Sequence, residues 1–271
     1  MKMILLHIHD DLGAESRLQA ALDVARAHEA HVQCVQVTPV PDLMAADIYG
    51  GAGYAPAIVA ELRANDDAYR AKVEERMGRE DVPWDWRHLD GDSVTGLLAA
   101  STLADLIVAT LPESGRTGVN DPLAIVPELA LGGRTPVLAV PPAAKGFAAT
   151  GRALVAWDGS AEAGAALRAA VPLLRMAGAV DIVAVEEADK AEFAANAPAE
   201  YLARHGISAE YHCWPRKGRP VDAVLAEAIG ALAADWVVMG AFGHSRLREF
   251  VFGGVTRAML RGAQVPLLLA H

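Results

Sequence analysis

Residues 153–160 read Ala-Leu-Val-Ala-Trp-Asp-Gly-Ser, a short apolar run that ends on an acid, a glycine and a hydroxyl. Near the start of the chain, residues 4–8 read Ile-Leu-Leu-His-Ile and also run into acids. A shift of 149 residues superposes the two stretches and places Leu18 on Leu167. The repeat predicts two related units within one chain.

The later part of each unit repeats at a shorter spacing. Asp-Leu-Ile-Val at 105–108 matches Asp-Trp-Val-Val at 235–238, which is a shift of 130 residues. The same shift superposes Pro-Val-Leu at 136–138 on Pro-Leu-Leu at 266–268. The first unit must therefore carry extra residues, and we assign them to the segment Pro39–Asp67.

A segment rich in proline, alanine and glycine separates the two units. This segment is Pro141–Gly151, and its composition is typical of a connection between folded regions. We therefore predict one domain over residues 1–148 and a second domain over residues 149–271.

Short apolar runs alternate with helix-like stretches in both units. The predicted strands are Met3–Ile8, His31–Val37, Trp84–Leu89, Leu106–Thr110, Val137–Val140, Ala153–Trp157, Val180–Glu186, Ala209–Trp214, Trp236–Gly240 and Val265–Ala270. The predicted helices include Glu15–His28, Ser93–Leu103, Glu162–Met176, Pro220–Ala233 and Val255–Arg261. Continuous apolar strands that alternate with helices are typical of a parallel sheet covered on both faces. We predict an α/β fold with a five-stranded parallel sheet in each unit.

Composition excludes several classes of protein. The chain is 53% hydrophobic and 21% charged, as is usual for a soluble globular protein. Its first apolar run is too short to span a membrane and lacks a secretory cleavage pattern. A net charge of −10 disfavours a general role in binding nucleic acid. The two cysteines, Cys34 and Cys213, fall in predicted strands and are expected to be buried free thiols, so a cytoplasmic location is predicted.

A glycine-rich loop follows the fourth strand of the second unit. Gly240 and Gly243 stand where that strand ends, and ligands of open α/β sheets bind at the carboxyl edge of the strands. Gly253 and Gly254 precede a predicted helix, whose free N–H groups favour a phosphate, and Thr256 adds a hydroxyl. The same glycines also suit an ordinary surface turn, so both interpretations stay open.

The spacing Gly, two residues, Gly, nine residues, Gly in this loop resembles the ATP-binding signature of the universal stress protein family. The runs Gly-His-Ser-Arg-Leu-Arg-Glu at 243–249 and Gly-Gly-Val-Thr-Arg at 253–257 resemble the tandem members of that family. The resemblance implies two tandem Rossmann-like domains of the adenine nucleotide alpha hydrolase-like kind. It also implies that the two domains pair through their last strands, and it allows a further homodimer of chains.

The resemblance assigns roles along the second unit. Asp158 would contact the nucleoside, and the backbone of Val185 would contact adenine. The residues implied at the strand exit and along the phosphate loop are Met239, Gly240, Gly243, His244, Ser245, Gly253, Gly254, Val255 and Thr256. The ligand would be ATP, with or without Mg²⁺. Without the resemblance, Asp158 is equally a candidate helix N-cap, and Val185 and Met239 are core strand residues.

Two departures from the family pattern limit the expectation. Gly254 stands where the family usually has Ser or Thr, which removes a hydroxyl worth roughly 0.5–1.5 kcal/mol. In the first unit the nucleotide positions hold other residues, namely His9, Thr110, Glu113, Leu123 and Ala124. Residues 1–148 are therefore expected to form a degenerate domain with a structural or regulatory role.

The predicted function is that of a stress-response sensor or adaptor that binds an adenine nucleotide in its second unit and engages an unknown protein partner. Two alternatives stay open: an interaction module without nucleotide, and a slow ATPase or self-phosphorylating protein. The sequence contains neither a Walker loop nor a Gly-x-Ser-x-Gly elbow, so at most weak hydrolysis is expected. His7 and His9 point to one face of a strand without a third ligand, so no metal site is predicted.

Overall fold

A computed structural model describes residues 1–39, 55–111, 125–186, 196–243 and 254–271. Within these ranges the strands are β1 Met3–Ile8, β2 His31–Thr38, β3 Trp84–Asp90, β4 Leu106–Thr110, β5 Val137–Val140, β6 Arg152–Ala156, β7 Ala179–Val185, β8 Glu210–Trp214, β9 Trp236–Gly240 and β10 Leu267–Ala270. The α-helices are α1 Ala14–His28, α2 Ala55–Met77, α3 Ser93–Ala100, α4 Ile125–Gly132, α5 Ala161–Leu174, α6 Ala197–Arg204, α7 Val221–Ala231 and α8 Gly254–Gly262. Each predicted strand is present, and all of their bounds agree within two residues.

All ten strands form one sheet in the order β3-β2-β1-β4-β5-β10-β9-β6-β7-β8. Neighbouring strands are parallel throughout each half, as predicted. The exception is the central pair: β5 and β10 run antiparallel, with Leu138 opposite Leu268. The last strands of the two halves therefore pair within one chain, which confirms that expectation.

Both faces of the inner part of the sheet are buried, which explains why the inner strands are continuous apolar runs. In β1, Ile4 and Leu6 belong to the hydrophobic cluster that also contains the buried side of α1. Leu5 points to the opposite face and belongs to a second cluster with residues of α4. The inner strands β4 and β5 are therefore apolar on both faces and lack the period-two pattern of half-exposed sheets. The edge strand β3 is only partly buried and does alternate, with Trp84 and Trp86 separated by Asp85.

The connecting segment Pro141–Gly151 is packed against both halves. The Phe147 side chain is buried, and its ring centroid lies 5.3 Å from that of Trp236. The Phe147 N–H donates to Asp23 Oδ2 at 2.8 Å. At Gly146 the backbone has φ +143°, and a Cβ would lie 2.3 Å from the same carboxylate oxygen, so glycine is needed there. The segment thus contacts residues of both halves, while the domain bounds 1–148 and 149–271 stay a prediction.

The prediction that both cysteines are buried is wrong for Cys213. Cys34 lies in β2, which is paired on both sides, and burial raises the pKa of its thiol to about 12. Cys213 lies in β8, the last strand of the sheet, and is exposed. Position in the sheet decides the difference, because an edge strand has fewer neighbours to cover its side chains.

Part of the segment assigned to extra residues is helical. Residues 55–67 form the first half of α2, whereas residues 40–54 lie outside the described part of the chain. In that described part, no helix is long and apolar enough to cross a membrane.

Candidate functional site

The candidate site lies at the carboxyl edge of the second half. The strands β9, β6 and β7 are neighbours there, with β6 in the middle. The chain leaves β6 towards β7 on one side and returns to β9 on the other, so the point between β6 and β9 is a topological switch point. Predicted site residues from three separate parts of the sequence therefore meet at one edge: Asp158, Val185 and Gly240.

Asp158 organises the turn between β6 and α5. Its Oδ1 accepts from the Ser160 N–H at 2.9 Å and from the Ser160 hydroxyl at 2.5 Å. The Ser160 hydroxyl in turn accepts from the Ala163 N–H at 3.1 Å, so Ser160 is the N-cap of α5. The prediction that Asp158 caps the helix, a role compatible with ligand contact, is wrong. Asp158 is exposed at the edge of the sheet, where a ligand can reach it.

Val185 ends β7 beside the end of β6. The Trp157 N–H donates to the Val183 carbonyl at 2.9 Å, and the Glu186 N–H donates to the Trp214 carbonyl at 2.9 Å. Backbone groups along a strand alternate between its two neighbours, so those of Val185 face the same side as those of Val183. They point towards β6, whose pairing with β7 ends at Ala156. The backbone of Val185 therefore faces the edge above β6, as the predicted adenine contact requires.

Met239 and Gly240 play different parts at the end of β9. The Met239 side chain is buried in the core, as expected for a strand residue. A Cβ at Gly240 would lie 2.5 Å from Ala163 N and 2.6 Å from Glu162 C. The first turn of α5 therefore packs directly on the strand end, and only glycine fits. Sequence reasoning gave Gly240 a ligand role, and the structure adds this packing reason.

The start of the glycine loop is held by bonds from α8 and from the end of the chain. The Phe242 N–H donates to the buried Thr256 hydroxyl oxygen at 3.2 Å. The Ala241 N–H donates to the Ala270 carbonyl at 2.8 Å, and His271 Nδ1 lies 2.8 Å from the Ala241 carbonyl oxygen. The Thr256 oxygen, predicted to face phosphate, is thus a partner of the loop backbone.

Phe242 is strained, with φ +58°. An aromatic residue in the left-handed region is uncommon and persists only where surrounding contacts enforce it. Sequence reasoning missed both Phe242 and His271. No local pattern could have identified them, because the bonds that hold this turn join residues 14 and 30 positions apart.

The remaining predicted residues divide between the described and undescribed parts of the loop. A Cβ at Gly243 would lie 3.1 Å from the flexible Glu162 carboxylate. Gly254 begins α8 and is exposed, and a Cβ there would meet no atom within 4 Å. Val255 follows it and packs partly against the core. The other three predicted residues, His244, Ser245 and Gly253, lie outside the described residues.

The corresponding edge of the first half is filled by its own side chains. Arg17 of α1 is buried and extends across the ends of β1 and β4. Its Nη1 donates to Asp11 Oδ2 at 2.8 Å and also to the Thr110 hydroxyl, and its Nη2 donates to the His9 carbonyl at 2.6 Å. In the second half, the position of Arg17 is held by Ala166. These contacts fill the edge of the first half, and the loss of a site there stays a prediction.

Two histidines occupy further space at this edge. The rings of His7 and His9 stack with centroids 5.9 Å apart and an angle of 6° between their planes. Burial, together with the nearby Arg17 and His9, holds the pKa of His7 well below its usual range. The pKa of His9 is also lowered, chiefly by burial. Both imidazoles therefore favour the neutral form, which suits space-filling beside a buried guanidinium.

The profile of the Universal stress protein family matches residues 150–271. A universal stress protein from Archaeoglobus fulgidus has the same fold, with a TM-score of 0.73 at 18% identity over 99% of this chain and 97% of that one. A candidate universal stress protein from Pseudomonas aeruginosa superposes with a TM-score of 0.59 at 16% identity, covering 99% and 92% of the two chains. Curated protein sequences include no match to this chain. The full-length likenesses are likenesses of fold.

Proposed function

We propose, from the premise that residues 150–271 belong to the universal stress protein family, that the carboxyl edge of the second half binds ATP or another adenine nucleotide. The protein would act as a stress-response sensor or adaptor through the nucleotide it holds. A cytoplasmic location, a homodimer and an unknown protein partner belong to the same proposal.

The observation that carries the proposal is the meeting of three segments at one switch point. Asp158, the backbone of Val185 and the packed Gly240 end three adjacent strands, and ligands of open α/β sheets bind at this place. In this half, small residues at the edge leave room where the first half has large ones. Ala156 and Ala166 stand at the positions of His7 and Arg17.

The proposed arrangement follows the order of these groups along the edge. Adenine would lie against the outward backbone of Val185, and the Asp158 carboxylate would accept hydroxyl hydrogen bonds from the ribose. The phosphates would then extend past Gly240 towards the start of α8, where free N–H groups favour an anion. When bound, Mg²⁺ would offset part of the phosphate charge.

Rapid hydrolysis is not part of the proposal. The Asp158 carboxylate already holds two hydrogen bonds from Ser160, and Thr256 accepts one from Phe242. These groups are suited to positioning a ligand. Hydrolysis needs a group that activates water beside the terminal phosphate, and none is proposed among these residues.

Titration of ATP and of adenosine into three proteins tests the proposal. Asp158→Ala should weaken both ligands by a similar factor, because its proposed contact is to the nucleoside. Gly243→Asp should weaken ATP and spare adenosine, since the new charge repels only the phosphates. Isothermal titration calorimetry of the wild type and both variants gives the pattern. Absence of wild-type binding at millimolar ATP would instead support the interaction module without nucleotide.

A further inference from the structure

A second cluster of charged and imidazole side chains lies away from the nucleotide edge. Asp181 of β7 stands directly opposite Glu210 of β8, and His212 follows two residues later on the same face. Glu210 is the first residue of β8, so the cluster lies towards the amino ends of the strands. One ligand atom from each of the three side chains lies within 4.8 Å of the others.

The Asp181 carboxylate is held in a fixed orientation. The residue is buried, with only 2% of its side chain exposed. Its Oδ2 accepts from Arg152 Nη1 at 2.7 Å, and its Oδ1 lies 2.8 Å from His212 Nε2. The guanidinium on the β6 side therefore fixes one oxygen and leaves the other facing β8. A charged partner that orients a ligating carboxylate is a common feature of metal sites.

Two carboxylates at directly opposite positions on neighbouring strands repel each other. Arg152 offsets part of this charge, but it contacts the oxygen of Asp181 on the side away from β8. The space between Asp181 Oδ1, the Glu210 carboxylate and His212 Nε2 thus lies between two negative groups and one imidazole nitrogen. A small divalent cation there would relieve the repulsion.

We propose that Asp181, Glu210 and His212 bind a divalent transition metal ion of the zinc type. The donors are two oxygens and one nitrogen, a set that suits Zn²⁺ better than Mg²⁺ or Ca²⁺. Donors about 2.1 Å from a tetrahedral ion lie roughly 3.4 Å apart, so the exposed Glu210 side chain must rotate to bring the set together. Water would complete the coordination. This site does not depend on the proposed nucleotide site.

The first half provides a natural comparison. There, Gln33 and Asp85 stand opposite each other in the register that pairs Asp181 with Glu210, and Arg87 takes the place of His212. An imidazole is present, because His31 Nε2 lies 2.7 Å from Asp85 Oδ1. It faces a single carboxylate, so the pair lacks the ligands for a metal. Of these two equivalent positions in the described residues, only the one in the second half is therefore expected to bind an ion.

The test is calorimetric titration of Zn²⁺ alone into the full chain after removal of metals with a chelator. One ion should bind, and His212→Gln and Glu210→Gln should each weaken the affinity at least about tenfold. His31→Gln should bind as the wild type does. Glu210 is exposed, so its variant keeps the fold even if the change at His212 does not.

The exposed thiol of Cys213 is the competing ligand, since zinc binds thiolate strongly. Cys213→Ser should therefore retain the site. When Co²⁺ replaces Zn²⁺ in the wild type, its spectrum should show no thiolate charge-transfer band. Wild-type affinity in both the His212 and Glu210 variants, loss of binding in Cys213→Ser, or a lack of binding in the wild type would each overturn the proposal.

Discussion

The carboxyl edges of the two halves have the same strand order and different fillings. β1 pairs with β4 as β6 pairs with β9, with Ile4 opposite Leu106 and Ala153 opposite Trp236. Yet one edge is crossed by a buried arginine, while the other has alanine at the same place. The comparison teaches that a repeated backbone can fill one carboxyl edge, and leave the other less filled, simply by exchanging small side chains for large ones.

The exchange extends to the contact between strand end and helix. In the second half, Gly240 packs against the first turn of α5 near Glu162. In the first half, Thr110 holds the strand position and Gly13 holds the helix position. A Cβ at Gly13 would lie 2.2 Å from Thr110 Cγ2. The contact therefore requires a glycine in each half: the strand residue Gly240 in the second half and Gly13, before the helix, in the first half.

The two halves also differ in net charge. Residues 1–148 contain 12 Lys and Arg against 21 Asp and Glu, whereas residues 149–271 contain 12 against 13. The net charge of −10 therefore belongs almost entirely to the half whose edge is filled. An anionic ligand meets less long-range repulsion at the second half.

The largest effect is expected from Arg17→Ala. The change would leave Asp11 without its buried partner and open the edge of the first half, so the free energy of unfolding should fall by about 3–5 kcal/mol. Arg168→Ala, an exposed arginine on the equivalent helix of the second half, is the matched control. Denaturant unfolding of both variants measures the difference. Equal losses would show that Arg17 does not hold the first edge.

Gly240→Thr places the residue of the first half into the second. Its Cβ would collide with the backbone of α5, so unfolding free energy should fall by about 1–3 kcal/mol and ATP affinity should fall with it. Gly230→Thr is the control, because a Cβ at that position meets no atom within 4 Å. Thermal unfolding with and without ATP measures both effects. A stable Gly240→Thr protein that binds ATP normally would contradict the packing argument.

Acid should destabilise the first half through its buried histidines. The pKa of His7 is lower in the folded than in the unfolded chain, so the unfolded chain binds more protons below about pH 6.5. The contribution of His7 to stability should therefore be constant above that pH and fall by up to about 1.4 kcal/mol per pH unit below it. Denaturant unfolding between pH 7 and 5 measures the slope. His7→Gln should reduce it, and an unchanged slope would argue against His7 as its source.

The smallest effect is expected at Gly254, which stands where the family usually has Ser or Thr. Gly254→Ser adds a hydroxyl at the start of α8, in open space, and should tighten ATP binding by up to about tenfold. Gly254→Ala adds the same Cβ without the hydroxyl and should show no such gain. Calorimetric titration separates the two variants. If both bind ATP equally, a phosphate is not near this position.

Local pattern was enough to predict the strands and their order in the chain. β1, β4, β5 and β9 have the predicted bounds, because each is a dense apolar run that both faces of the sheet bury. β10 begins at Leu267, two residues after the predicted start, since Pro266 lacks an N–H for the ladder. The burial of Cys213 was mispredicted because its run of residues does not reveal that β8 ends the sheet.

The sequence by itself determined the repeat, the α/β class and the place of the glycine loop, since these depend on residues close together in the chain. Only the tertiary structure decided how each edge is filled. Arg17 meets Thr110 across 93 residues, and Gly240 meets Ala163 from a distant helix. The effect of a side chain's size and charge depends on the residues that tertiary packing places beside it. The spacing of residues along the sequence does not reveal which residues those are.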